Sequence, residues 1–313
     1  MKKILSIALV LMLAVSAFSL VGAEAAPKYK IGILAPAVTH GWVAAVAYNS
    51  EVRCKELADK VEYKLYTSSN ADEMTTQLDD LKAWGAQAIV AFPQWEGMEV
   101  PIQDAIDEGI FVVNFDIVIN AEGVYRVSGD NESMGVEGAH YIAEKLGGKG
   151  KVVVLDVPTS GSVAELRKKG FMETVEANYP DIEVIGTYAT KFTREDGLAD
   201  MTDILIANAE IDAVYSMDDE TSIGVLQAIE EAGRTDIKVV TGGGGCQEYF
   251  HMMEDYADIW VQSALYSPAM VQDAVDTALA LLEGQEVEEV KIIPTTIVDR
   301  DNVAEFFDDN TPY

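Results

Sequence analysis

Gly109-Ile110-Phe111-Val112-Val113-Asn114-Phe115-Asp116 is the stretch from which the fold is read. Its near-continuous run of β-branched and aromatic residues suits a strand covered on both faces, as in a parallel sheet flanked by helices. Asp116 follows where that strand should end. In open α/β sheets ligands occupy the crevice beyond the carboxyl ends of the strands, so an acid there faces bound material. The competing reading is an Asp that caps a turn. Downstream, Tyr125-Arg126-Val127-Ser128 reads as extended and Asp130-Asn131 as a helix start, so the chain here leaves one domain for another.

Outward from this stretch, short apolar strands alternate with helical segments. Before it the pattern predicts strands over 30–35, 61–66 and 87–92, and helices over 41–60, 70–84 and 98–108. Asn70 with Glu73 forms a capping-box-like start, and Gly85 a helix end. After it come helices over 131–146, 162–178, 194–207 and 220–232, with strands over 151–156, 182–188, 213–216 and 237–241. A strand over 259–265, a helix over 268–283 and an extended run over 290–298 close the pattern. Such alternation implies α/β architecture: two doubly wound parallel-sheet domains with helices on both faces. No Pro/Ser-rich linker separates the halves, so the crossings between them are expected to be extended segments.

Residues 1–25 stand apart. Lys2-Lys3, the apolar run Ile4 to Val21 and Ala23-Glu24-Ala25 have the layout of a cleaved secretory signal peptide. No later run of about 18 uncharged apolar residues occurs, so no membrane span is expected. The remaining length suits two domains of average size. No cysteine closes the apolar segment, which favours a free exported protein, periplasmic and not membrane-embedded, over a lipid-anchored one. A net charge of −31, from 22 basic against 53 acidic residues, excludes nucleic acid and anionic lipid as partners. Cys54 lies within a helical pattern and Cys246 beyond four glycines, and they are read as two thiols without a shared disulfide.

Candidate chemistry is sparse. Gly242-Gly243-Gly244-Gly245 lacks the Lys-Ser/Thr of a phosphate-binding loop and reads as a turning loop. Cys246 and His251, five apart, diverge on a helix and make no nucleophile–base pair. Asp218-Asp219-Glu220 has no His beside it, which favours one ligand-facing acid plus helix-capping acids over a metal site. Aromatic residues at strand ends say more: Trp42, Trp95, Phe192 and Tyr266 all fall at the sheets' carboxyl edges. Flat apolar rings stack on the C–H faces of a sugar, while Asp, Asn and Arg grip its hydroxyls. The alternative is that two or three of the four belong to the core.

The chain resembles the periplasmic sugar-binding proteins of the ribose-binding type, the solute receptors of ABC importers. The resemblance rests on Ile31-Gly32-Ile33-Leu34 with Thr39-His40-Gly41-Trp42, on Val112 to Asp116, on Val127 to Asn131, on Arg167-Lys168-Lys169-Gly170-Phe171, on Ala213 to Asp219, and on Lys238 to Gly242. It implies type I periplasmic binding protein architecture, with an N-terminal lobe of 26–128 and 266–294 and a C-terminal lobe of 129–265 and 295–313. A three-segment hinge would close the lobes over a monosaccharide or polyol. By the same resemblance Asp116 is the gripping acid, Arg167 its arginine, Phe192 and Trp42 the ring-stacking aromatics, His40 a first-loop polar contact and Asp218 a polar ligand contact. A permease partner, a monomer, no cofactor and no enzymatic activity are also implied. Three polar grips of the ribose pattern are missing or moved: Ile117 stands after the acid where Arg is usual, Gly243 where Asp is usual, and Leu265-Tyr266-Ser267-Pro268 where Gln is usual. That counts against ribose itself. A nucleoside, autoinducer-like or cationic solute is the rival ligand class. A secreted α/β hydrolase would need a Gly-x-Ser-x-Gly elbow, which is absent.

Overall fold

The computed structural model describes residues 28–37, 41–308 and 310–313. The predicted export signal and His40 lie outside the described residues. The first sheet contains β1 (Tyr29–Pro36), β2 (Val61–Ser68), β3 (Ala88–Ala91), β4 (Phe111–Phe115), β5 (Tyr125–Gly129) and, from far along the chain, β11 (Val290–Ile293). Its order is β11-β5-β4-β3-β1-β2, with every pairing parallel. Around it run α1 (Gly41–Glu56), α2 (Ala71–Trp84), α3 (Glu99–Asp107) and α9 (Val271–Leu282).

The second sheet contains β6 (Lys149–Asp156), β7 (Asp181–Ala189), β8 (Ala213–Tyr215), β9 (Val239–Gly244), β10 (Trp260–Leu265) and β12 (Ile297–Asp299). Its order is β12-β10-β9-β8-β6-β7, parallel except for β12 against β10. It is covered by α4 (Asn131–Leu146), α5 (Ser162–Asn178), α6 (Arg194–Ala207), α7 (Asp219–Glu231) and α8 (Gln247–Met252). The central strands β3, β8 and β9 are buried at every residue, as parallel strands covered on both faces must be.

Each sheet reverses its strand order at one point, between β1 and β3 in the first and between β6 and β8 in the second, and open α/β folds form their crevices there. The chain passes from one sheet to the other three times: at Gly129-Asp130, at Leu265-Tyr266, and through Pro294-Thr295-Thr296. These crossings are hydrogen-bonded to one another, Asp130 N to the Ile293 carbonyl at 2.9 Å and Leu265 N to that of Thr296 at 2.8 Å. The expected extended run over 290–298 is thus two strands in different sheets.

Local signals account for most boundaries. Asn70 accepts from Glu73 N at 2.9 Å, and Gly85 ends α2 in the left-handed region at φ 86°. The expected reach of the first helix to Lys60 is corrected: α1 stops at Glu56, and residues 57–60 turn so that Val61 enters β2 opposite Tyr29. The glycine run, expected as a loop, is largely strand. Gly242 and Gly243 pair with Ser263 and Ala264 of β10, and the requirement for glycine there is steric. A Cβ on Gly242 would lie 2.5 Å from Asp219 Oδ1, and one on Gly243 2.6 Å from Met134 Cε.

Two helix pairs approach through reciprocal glycines. A Cβ on Gly135 of α4 would sit 2.0 Å from the Arg167 carbonyl oxygen, and one on Gly170 of α5 2.2 Å from that of Glu132. Gly197 of α6 and Gly224 of α7 repeat the arrangement at 2.3 and 2.2 Å from the carbonyl oxygens of Thr221 and Arg194. Backbone cannot yield as a flexible side chain does. Gly170→Ala should therefore lower unfolding free energy by about 1–3 kcal/mol, read as a lower urea midpoint; an unchanged midpoint would show that the helices separate freely.

Candidate functional site

A cleft of about 440 Å³ opens between the carboxyl edges of the two sheets. Trp42, Trp95, Asp116, Arg167, Phe192, Asp218 and Tyr266 all line it, so the structure brings together every described residue singled out from the sequence. Each stands just past a strand or in the first turns of the following helix, because that is where parallel strands deliver the chain.

Trp42, the second residue of α1, lies parallel to Phe115 (centroids 6.2 Å apart, 9° between planes) and edge-on to Phe92 at 5.8 Å. Its Nε1 donates to the Tyr266 carbonyl at 2.7 Å, which ties the wall of the cleft to a crossing segment. Trp42 is thus both core and wall. Trp95 and Phe192 are half-buried, leaving ring surface at the cleft.

Asp116 is the one non-glycine residue with positive φ, 65°, among the described residues. Such a conformation stores strain and persists only where its surroundings enforce it. The Tyr266 hydroxyl donates to its Oδ1 at 2.5 Å. Desolvation raises the Asp116 carboxyl above the ordinary aspartate range, opposed by this hydrogen bond and by the Arg167 charge. Tyr266 Oη in turn accepts from Asn131 Nδ2 at 3.2 Å, and Asn131 Oδ1 accepts from Arg167 Nε at 2.8 Å. Arg167 also donates through Nη1 to the Met217 carbonyl at 2.7 Å, and its guanidinium lies 4.7 Å from the Tyr266 ring centroid and 6.0 Å from that of Phe192. A continuous hydrogen-bonded path therefore runs Asp116–Tyr266–Asn131–Arg167, from one sheet to the other.

Asp218 caps α7, accepting from Thr221 N at 2.9 Å and Thr221 Oγ1 at 3.1 Å. Its neighbours divide the remaining tasks. Glu220 pairs with Arg194 at 2.5 Å, while Asp219 Oδ2 accepts from Gly245 N, Cys246 N and Ser263 Oγ at 2.7, 2.9 and 2.9 Å. No cluster suited to a metal occurs among the described residues. Cys54 and Cys246 are free and buried, and burial pushes both thiols up to about 12, away from any nucleophilic form.

Sequence reasoning missed several residues. Gln94, Thr159 and Ser160 also line the cleft, as does Ile117, which the sequence marked only as a departure from the ribose pattern, and the strand-end rule that found Trp95 and Asp116 applies equally to their neighbours. Asn131 was read only as part of a helix start; it is Asp130 that caps α4, accepting from Ser133 N at 2.9 Å, and nothing local marks Asn131 as the bridge between Tyr266 and Arg167. At Gly243 no side chain fits, since the Met217 carbonyl oxygen also lies 2.9 Å from a Cβ there, so the acid of the ribose pattern has no place in this floor.

Two lobes with a cleft between them, walled by aromatic rings and crossed by an acid–arginine path, define a clamp-type solute receptor. The chain belongs to the family described as periplasmic binding protein domain, which it matches over residues 31–286. That family is one of binding proteins, not of enzymes. The xylitol-binding protein of Mycolicibacterium smegmatis is 28% identical over 244 residues, covering 76% of this chain and 69% of the relative. The ribose import binding protein of Escherichia coli is 27% identical over 236 residues, 74% of this chain and 78% of its own. A periplasmic solute-binding protein from Actinobacillus succinogenes, solved with bound D-allose, superposes with a TM-score of 0.81 at 22% identity, covering 89% of this chain and all of that one. No described helix is long and apolar enough to cross a membrane.

Burial pushes Asp219 up to about 7, only partly offset by its amide and hydroxyl donors. The folded protein then holds this proton up to about pH 7, whereas an unfolded Asp releases it near about 4. The group's contribution to stability is full below the unfolded value, falls as pH rises from about 4 to 7, and is constant above. Asp219→Asn should keep an acceptor for the two amides and remove this slope. The variant's melting temperature relative to the native chain is expected to rise between pH 4 and 7; a pH-independent difference would place the Asp219 titration elsewhere.

Proposed function

We propose that this protein is an exported, monomeric, non-catalytic receptor that captures a neutral monosaccharide or polyol between its lobes and delivers it to the permease of an ABC importer. The lobes are residues 26–128 with 266–294, and 129–265 with 295–313; residues 1–25 act as the export signal. The observation that carries this reading is the cleft itself, in which half-buried rings face Asp116 and Arg167 across the two lobes. Rings supply the C–H stacking faces and the ions supply charge-assisted hydrogen bonds to hydroxyls. Both acids are already engaged by protein donors, Asp116 by Tyr266 and Asp218 by Thr221, which favours a neutral ligand over a cation. His40 belongs to this proposal by resemblance alone.

The volume of the cleft falls in the range of about 300–1,000 Å³ typical of small-molecule sites. A thermal-shift panel of D-ribose, D-allose, xylitol, myo-inositol, nucleosides and amines tests the class. A true ligand at 100 times its Kd should add about 2.7 kcal/mol to stability. Mass spectrometry of the same mixture should show stoichiometric binding and no product, because no nucleophile with a base and an orienting third group stands in the cleft among the described residues. A shift from nucleosides or amines alone, or turnover of a sugar, would overturn the reading.

Asp116→Ala should weaken binding of the ligand so found by about 2–4 kcal/mol, since it removes a charged acceptor from a desolvated site, while the chain still folds at a stability cost of about 1–2 kcal/mol for alanine at positive φ. Calorimetry reads the affinity, and an unchanged Kd would remove Asp116 from the binding machinery. A ligand touching both lobes gains contacts only when they close, so binding must shift the hinge. X-ray scattering should show a smaller radius of gyration with saturating ligand, and superimposed curves would confine the site to one lobe.

A further inference from the structure

Residues 303–308 and 310–313 lie beyond β12 and touch both lobes without belonging to any of the three crossings. Gln247 of α8 holds them to the second lobe, donating through Nε2 to the Phe306 carbonyl at 3.2 Å and accepting from Asp308 N at 2.8 Å. Phe307 stacks on His251, with centroids 4.4 Å apart and 12° between planes. The segment delivers the Tyr313 ring, 5% exposed, between the first residue of α1 and the end of β9. A Cβ on Gly41 would lie 2.9 Å from Tyr313 Cδ2, and one on Gly244 2.6 Å from Tyr313 Oη.

The Glu220 carboxylate arrives at the same place, its Oε1 3.2 Å from that position on Gly41. Arg194 fixes it from behind, bonding Glu220 through Nε at 2.5 Å and Glu248 through Nη2 at 2.7 Å, so α6, α7 and α8 are tied together where they meet α1. Neither Tyr313 nor Glu220 lines the cleft. Gly41 directly precedes the cleft residue Trp42, so any withdrawal of α1 when the lobes part strips the Tyr313 ring and the Glu220 carboxylate of their cover.

We propose that the Tyr313 ring, seated against Gly41 beside the Arg194–Glu220 pair, is a latch that holds the two lobes in the closed arrangement without touching ligand. It rests on the reading that the lobes act as a clamp. The ring does the holding: Tyr313 Oη is buried with no hydrogen-bond partner among the described residues, so the hydroxyl adds desolvation cost and no bond. The part of the ring's cover that comes from Gly41 belongs to the other lobe and is lost if that lobe withdraws, and a contact made in one state alone is what biases an equilibrium.

The test is the interlobe distance measured by single-molecule energy transfer between dyes on Asp72→Cys and Glu176→Cys, both exposed, the native thiols being buried. Distributions are recorded without ligand and with saturating D-ribose, D-allose or xylitol. Tyr313→Ala should lower the closed-to-open ratio about tenfold, whereas Tyr313→Phe should keep it within about twofold. Gly41→Ala should lower the ratio in the native background and have a smaller effect beside Tyr313→Ala, since the ring is gone and only the Glu220 carboxylate remains near the added methyl group. If no probe alters any distribution, the receptor reading fails, and the ligand-free distributions still decide the latch. A Tyr313→Ala distribution indistinguishable from the native one in every condition overturns it, as does loss of closure in Tyr313→Phe equal to that in Tyr313→Ala.

Discussion

The structure depends on the hydrogen-bonded path Asp116–Tyr266–Asn131–Arg167. Asp116 hangs from the end of β4 in the first lobe, Asn131 and Arg167 stand on α4 and α5 of the second, and Tyr266 sits in a crossing between them. Each partner satisfies the next, and a buried charge is tolerated only when it is paired and hydrogen-bonded. The path also joins three otherwise separate features: it walls the cleft, places opposite charges on opposite lobes, and passes through a segment that crosses between those lobes. On the proposed reading, a bound hydroxyl that competes for one of these donors or acceptors would perturb all three together.

Helix packing sets the position of the cationic end of this path. Arg167 stands on α5, whose distance from α4 is fixed by the backbone contacts at Gly135 and Gly170. A methyl group inserted there pushes on the Arg167 carbonyl itself. The floor is positioned in a comparable way from beneath, where Asp219 gathers the amides of Gly245 and Cys246 with the Ser263 hydroxyl, leaving Gly243 and Gly244 flat against the cleft. Cleft shape is therefore set by buried groups that a ligand never meets.

Which parts of this were legible in the sequence follows from which parts are local. Period-two and period-3.6 patterning, with caps such as Asn70 and Gly85, yielded the alternating elements, and the strand-end rule brought Trp95, Asp116, Phe192 and Asp218 to one edge before any coordinates. The hidden parts are those defined by distant partners. Asn131 looks like any residue opening a helix until Tyr266, 135 positions away, meets it. The glycine run looks like a loop because strand formation there is dictated by β10, Asp219 and Met134, not by its own propensity. Asp219 and Tyr313 fall in the same class: a buried acid and a buried phenol whose surroundings are assembled from several elements.

The left-handed backbone at Asp116 restricts what evolution can do with the position. At φ 65° the residues accommodated at low cost are glycine, asparagine and aspartate. Of these, glycine offers no grip, and asparagine brings no charge to face Arg167. If Asp116 is the proposed ligand anchor, variation in the cleft is thereby channelled to neighbouring lining residues in ordinary conformations, such as Gln94, Ile117 and Ser160, while the acid stays fixed by the shape of the chain that carries it.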